Sequence, residues 1–132
     1  MSTRCNVQVI QTGVDWKQEI QLYHHCDGYP SNMLPLIAKA FRLSKGGWEA
    51  GRAGKAASFL CAVDPGQMEP EQGMTPHGDI EYLYKITVCN NNGGTIGEKP
   101  EWLVETFDRK GKSLHAPTEV LKASKDKSLL EL

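Results

Sequence analysis

Long apolar runs are missing from this chain. The most apolar stretch, residues 33–41, carries Pro35 and Lys39 and is far shorter than the roughly 20 residues a bilayer-spanning helix needs. No apolar segment follows Met1-Ser2-Thr3-Arg4-Cys5-Asn6, so no secretory signal is expected and a cytosolic location is. No membrane partner is expected either. A surplus of one charge is also missing. Among 132 residues, 15 Lys and Arg stand against 16 Asp and Glu. The chain as a whole therefore exerts no pull on nucleic acid or anionic lipid. Cysteine is sparse, and the four residues Cys5, Cys26, Cys61 and Cys89 include no C-x-x-C pair. Zinc-ribbon and thioredoxin-like readings fail on that ground. In a reducing compartment these are free thiols; Cys5, Cys61 and Cys89 sit among apolar residues and read as small core hydrophobes.

Catalytic signatures are equally scarce. Gly51-Arg52-Ala53-Gly54-Lys55 looks like a phosphate loop, but Glu49 stands where its first glycine belongs and Ala56 where its hydroxyl belongs. Neither the amide cradle nor the magnesium ligand can then form. No G-x-S-x-G or H-E-x-x-H occurs, which removes hydrolase elbows and helical zinc-protease sites. No residue is assigned a catalytic role and no cofactor is expected.

What is present is a set of readable periodicities. Residues 4–10 alternate, with Cys5, Val7 and Val9 on one face and Asn6 and Gln8 on the other, the mark of a half-buried strand. Trp16, Ile20 and Leu22 oppose Lys17, Glu19 and Gln21 and give its hairpin partner after Thr12-Gly13. Ser31 or Asn32 is placed to cap a helix, with Pro35 tolerated in its first turn and Leu34, Ile37 and Phe41 on one stripe. An alanine-rich helix follows over residues 48–63, loosened by Gly51 and Gly54. Residues 64–79 hold three prolines and three glycines and read as a long loop. Residues 80–89 alternate as a strand, Asn91-Asn92-Gly93-Gly94 makes a hairpin turn, and residues 102–107 return.

This ββααββ order predicts a single α+β domain: a mainly antiparallel sheet of four to five strands with two main helices on one face. Residues 1–111 form it. Residues 112–132 read as a charged C-terminal tail that frays or docks on a partner, with Thr118 positioned to cap a short helix. Arg109, Lys110, Lys112, Lys122, Lys125 and Lys127 face only Glu119 and Asp126 between residues 109 and 127, so the tail suits electrostatic docking.

Two places attract chemistry. His24-His25-Cys26-Asp27 is the densest ligand cluster, and His24, His25, His77 and Asp79 would supply four metal donors if two strand ends lie side by side. The competing reading is turn chemistry at Asp27-Gly28. Cys26 beside two imidazoles could also be an activated thiolate. Tyr82, Tyr84 and Trp102 could stack a base, with Arg42, Arg52, Lys55 and Lys85 as phosphate contacts; strand aromatics more often pack in the core.

The stretch Leu22-Tyr23-His24-His25-Cys26-Asp27-Gly28-Tyr29-Pro30 resembles the Y-x-H-W-D-G-Y-P signature of a group of small, mostly uncharacterised bacterial and phage proteins. His77-Gly78-Asp79-Ile80-Glu81-Tyr82-Leu83-Tyr84 resembles their G-D-I-E-Y-L-Y segment, and the alanine-rich stretch 48–60 is similar too. Cys26 departs from the group's tryptophan, and the loop before the second motif is longer. The resemblance implies no catalytic activity. It implies a phage or mobile-element origin, with the host cytoplasm as location. It directs attention to His25, Asp27, Tyr29, His77, Asp79, Glu81 and Tyr82 as a ligand-binding or structural motif.

The leading expectation is therefore a small non-enzymatic protein that works through protein contacts or self-association, with interference in host machinery or defence as one role. A binder of a small nucleotide-like ligand and a metal-dependent enzyme built on the His/Asp cluster are the alternatives. A nucleic-acid partner is not expected.

Overall fold

Alternation at the N-terminus builds the centre of a sheet. In the computed structural model, which describes residues 3–12, 18–44, 48–71, 80–89 and 101–132, strand β1 (Cys5–Gln11) turns Cys5, Val7 and Val9 into the core. Strand β2 (Gln18–His24) pairs with it antiparallel, Val7 opposite Leu22 and Cys5 opposite His24. This is the predicted hairpin; Gly13 and Trp16 lie outside the described residues.

Helix α1 (Pro30–Leu43) starts one residue earlier than its expected cap. Pro30 fills the first helical position, where a missing N–H costs nothing. Tyr29 precedes it and makes no side-chain cap. Asn32 instead donates from Nδ2 to the Asp27 carbonyl at 2.7 Å. Pro35 thus lies a turn deeper than predicted, on the exposed side, where water can serve the carbonyl it leaves unbonded. Met33, Leu34, Ile37 and Ala40 form the buried stripe.

The second predicted helix is split. A 3₁₀ turn (Trp48–Gly51) comes first, Arg52 is extended, and helix α2 (Ala53–Val63) follows. Its Ala53, Ala56 and Leu60 are fully buried. Small side chains let the helix axis approach its neighbours closely.

The stretch predicted as one long loop contains strand β3 (Met68–Pro70), antiparallel to the end of β2. Strand β4 (Tyr82–Cys89) then lies against β1, parallel to it, with Val7 beside Tyr84. Strand β5 (Glu101–Asp108) runs antiparallel to β4; the Asn-Gly turn predicted between them lies outside the described residues. The last stretch forms strand β6 (Thr118–Glu119) and two single-turn helices, α3 (Val120–Ala123) and α4 (Lys127–Leu130).

The class is α+β with two long helices, as the pattern predicts. The sheet differs: it is six-stranded and mixed, in the order β3-β2-β1-β4-β5-β6, with one parallel pair at its centre. The excess strands are β3 and β6, too short for any periodicity to register. Residues 112–132, expected as a charged tail with a short helix, pack on the rest of the chain. β6 pairs with β5, α3 and α4 rest on α1, and Val120, Ala123 and Leu129 are buried there.

The core lies between the sheet and α1 and α2, filled by Leu22, Tyr84, Ile86, Val88, Trp102 and Val104 from the sheet side. Burying such side chains stabilises a fold by about 1.5–3 kcal/mol each. The opposite face of the sheet meets no helix among the described residues.

Candidate functional site

The crossover from β2 to α1 carries the first motif. Asp27 takes a left-handed conformation, φ 54°, which Asp adopts more readily than most residues. The next residue, Gly28, presses against the start of β1. A Cβ built on it would stand 3.0 Å from Cys5 Cβ and 3.0 Å from the Thr3 carbonyl oxygen. The Gly28 amide donates to that same carbonyl at 2.8 Å. Its own carbonyl accepts from the Tyr84 hydroxyl at 2.6 Å, inside the core. Tyr84 ends the second motif, so a buried hydrogen bond joins the two motifs.

The remaining motif residues divide between the two faces of the sheet. Tyr29 is 41% exposed and donates its hydroxyl to Asp27 Oδ1 at 3.2 Å. That hydrogen bond, and then the carboxylate's charge, hold the phenol proton and raise its pKa above the ordinary value. His24 is buried with the helices, its Nε2 2.8 Å from Asp64 Oδ2 and its Nδ1 without a hydrogen-bond partner. His25 lies on the other face. It sits 3.1 Å from Glu69 Oε1 of β3 and edge-on to Tyr23, ring centres 4.6 Å apart. Cys26 Sγ is hydrogen-bonded to Gln67 Oε1 at 3.1 Å. Glu81 is exposed, and its amide donates to the Arg4 carbonyl at 2.8 Å. Tyr82 is half-buried, stacked on Tyr84 with its hydroxyl 3.5 Å from the Leu132 carbonyl.

His77 and Asp79 lie outside the described residues. The metal quartet therefore reduces here to His24 and His25, which point to opposite faces of the sheet and cannot share one ion. Among the described residues no group of three or more His, Cys, Asp or Glu side chains is arranged to hold a metal. Nor do the aromatics make a stacking surface. Tyr84 and Trp102 are buried against the helices, and Trp102 Nε1 donates to the Ala50 carbonyl at 2.7 Å. Lys85 lies on the far face of the sheet from Arg42, Arg52 and Lys55. Burial pushes the Cys5 thiol far above its ordinary pKa, and the Cys61 thiol also rises, from burial and then the Glu69 charge. Both are kept as neutral thiols rather than nucleophiles.

One polar centre carries no sequence signal at all. Asn6 alternates onto the polar side of β1 yet is fully buried. Its Nδ2 donates to the Leu22 carbonyl at 2.9 Å and to Glu71 Oε2 at 2.7 Å. Only the return of Glu71 across the sheet, after β3, makes this visible.

The helix-free face is banded. Tyr23, Asn6, Leu83 and Phe107 form one row across β2, β1, β4 and β5. Gln21, Gln8, Lys85 and Glu105 form the next, and Glu19, Ile10, Thr87 and Leu103 the third. Leu83, Phe107, Ile10 and Leu103 are each half-buried, and Tyr23 and Asn6 are buried. Comparison with family models, with curated proteins and with solved structures finds no match. Among the described residues no helix is long and apolar enough to cross a membrane.

Proposed function

We propose that this is a small non-enzymatic binding protein that acts through protein contacts, made by the helix-free face of its sheet. The observation that carries the reading is the pattern of that face: half-buried Leu83 and Phe107 stand side by side, and beyond the intervening polar row Leu103 lies four residues along β5 from Phe107, in one row with Ile10 of β1. Apolar positions on either side of a polar row suit a specific, reversible contact, since the polar row penalises a mismatched partner. The sheet's edge strands, of three and two residues, favour contact through the face over strand addition. The motif resemblance supports a phage or mobile-element origin, and with it a host protein as partner, whose machinery or defence the contact would impede.

Light scattering and pull-down from host cells test the reading together. Wild type should self-associate or retain a specific protein, and Leu83→Lys combined with Phe107→Lys should abolish it with a native circular-dichroism spectrum. A wild-type monomer that retains nothing refutes the reading.

A further inference from the structure

The helical layer offers a second surface of different chemistry. A groove of about 390 Å³ lies where the last turns of α1 and α2 meet, lined by Lys39, Arg42, Leu43, Ala62 and Val63. Its floor is aliphatic. Leu43 is 47% exposed, a large apolar side chain left in water. Among the described residues that line it, both polar ones are cations and none is an acid. Lys39 and Arg42 are exposed, and neither is paired with a carboxylate among the described residues. Arg42 in the last turn of α1 also suits that helix's negative end, a use that leaves its guanidinium donors open.

From this charge complementarity we infer that the groove docks an acidic amphipathic segment of a partner protein. An aliphatic side chain of that segment covers Leu43 and Val63, and its carboxylates meet Lys39 and Arg42. Arg presents a planar fork that matches a carboxylate with two hydrogen bonds. The lining favours peptide over nucleic acid: its described residues include no aromatic ring for a base to stack on, and their two cations neutralise too few phosphates for stable binding. The inference rests on the reading of this chain as a protein-contact binder and assigns it a contact on the other side of the molecule from the sheet face.

Fluorescence anisotropy of a labelled leucine–glutamate peptide, with its leucines on one helical face, tests it on the full chain. The peptide should bind, and added salt should weaken it. Lys39→Glu with Arg42→Glu should reduce affinity at least roughly tenfold, and a peptide with lysine in place of glutamate should not bind. Both substitutions are on exposed side chains, so an unchanged melting curve confirms the variant is folded. No binding of the acidic peptide, equal binding by the charge-reversed variant, or equal binding of the lysine peptide overturns the inference. So does a single-stranded oligonucleotide that binds wild type and displaces the peptide. Peptide binding with a failed sheet-face assay discards only the sheet-face reading; a working sheet face without peptide binding discards only the groove.

Discussion

At the scale of single residues, the crossover motif is explained by mechanics. Gly28 is required by close approach: both Cys5 Cβ and the Thr3 carbonyl occupy the space a methyl group would enter. Gly28→Ala should destabilise by about 1–3 kcal/mol, the usual cost of overpacking, read as a lowered urea midpoint with unchanged slope. Tyr84→Phe removes the only donor described for the buried Gly28 carbonyl and should cost about 1–2 kcal/mol. A double-mutant cycle should show the two effects to be coupled, because both bear on the position of the Gly28 backbone. Asp27-Gly28 was legible as a turn, since few residue pairs tolerate such a bend. The partners were not. Nothing in sequence places Asp64 against His24 or Glu71 against Asn6, because each pair meets only through tertiary packing across dozens of residues.

At the scale of elements, strong periodicity was read correctly and short pieces were not. β1, β2 and β4 alternate over seven or eight residues each, enough for one face to declare itself. β3 has three residues and ends in proline; it forms because β2 offers it a paired edge. A short helix after Thr118 was legible, but its packing was concealed by lysines, whose charged heads stay in water while Val120, Ala123 and Leu129 turn inward. Leu129→Asp should therefore destabilise the fold by about 2–4 kcal/mol, seen as a lower melting temperature, where a loose tail would show no change. Two turns in this region depend on acids. The Lys112 amide, and then that of Lys110, hold Asp108 below its ordinary pKa; the Ser128 hydroxyl and amide do the same for Asp126, which caps α4. A depressed carboxylate contributes stability above its unfolded-state pKa and loses it as pH falls through the folded one. Stability should thus decline on acidification below roughly pH 4, and less steeply in Asp108→Asn with Asp126→Asn than in wild type.

At the scale of the whole molecule, the sheet divides its labour. One face is covered by α1 and α2 and holds Tyr84 and Trp102; the other meets no helix among the described residues and carries half-buried Leu83, Phe107, Ile10 and Leu103 beside buried Tyr23 and Asn6. The sequence pattern was enough to place helices on a single face and to make the sheet the larger layer. It was not enough to show β4 slotting beside β1 rather than beside β2 or β3, since hydrophobic alternation marks which side of a strand is buried but not which strand is its neighbour. The parallel pair, and with it the mixed sheet, follows from that one insertion.

The β1–β4 pairing also determines how the chain must assemble. The β1–β2 hairpin, α1, α2 and β3 can organise from residues close in sequence, and so can β4 with β5 and β6. Among the strand pairings, the central seam, from Cys5 beside Tyr82 to Gln11 beside Val88, is the one that joins the first part to the second. Closing it brings together positions far apart along the chain and carries the largest loop-closure entropy in the sheet. Closing the seam is therefore expected to be the slow step in folding. Two fragments, 1–71 and 80–132, that each carry one side of it would be expected to find each other in solution and complete the sheet without a covalent link.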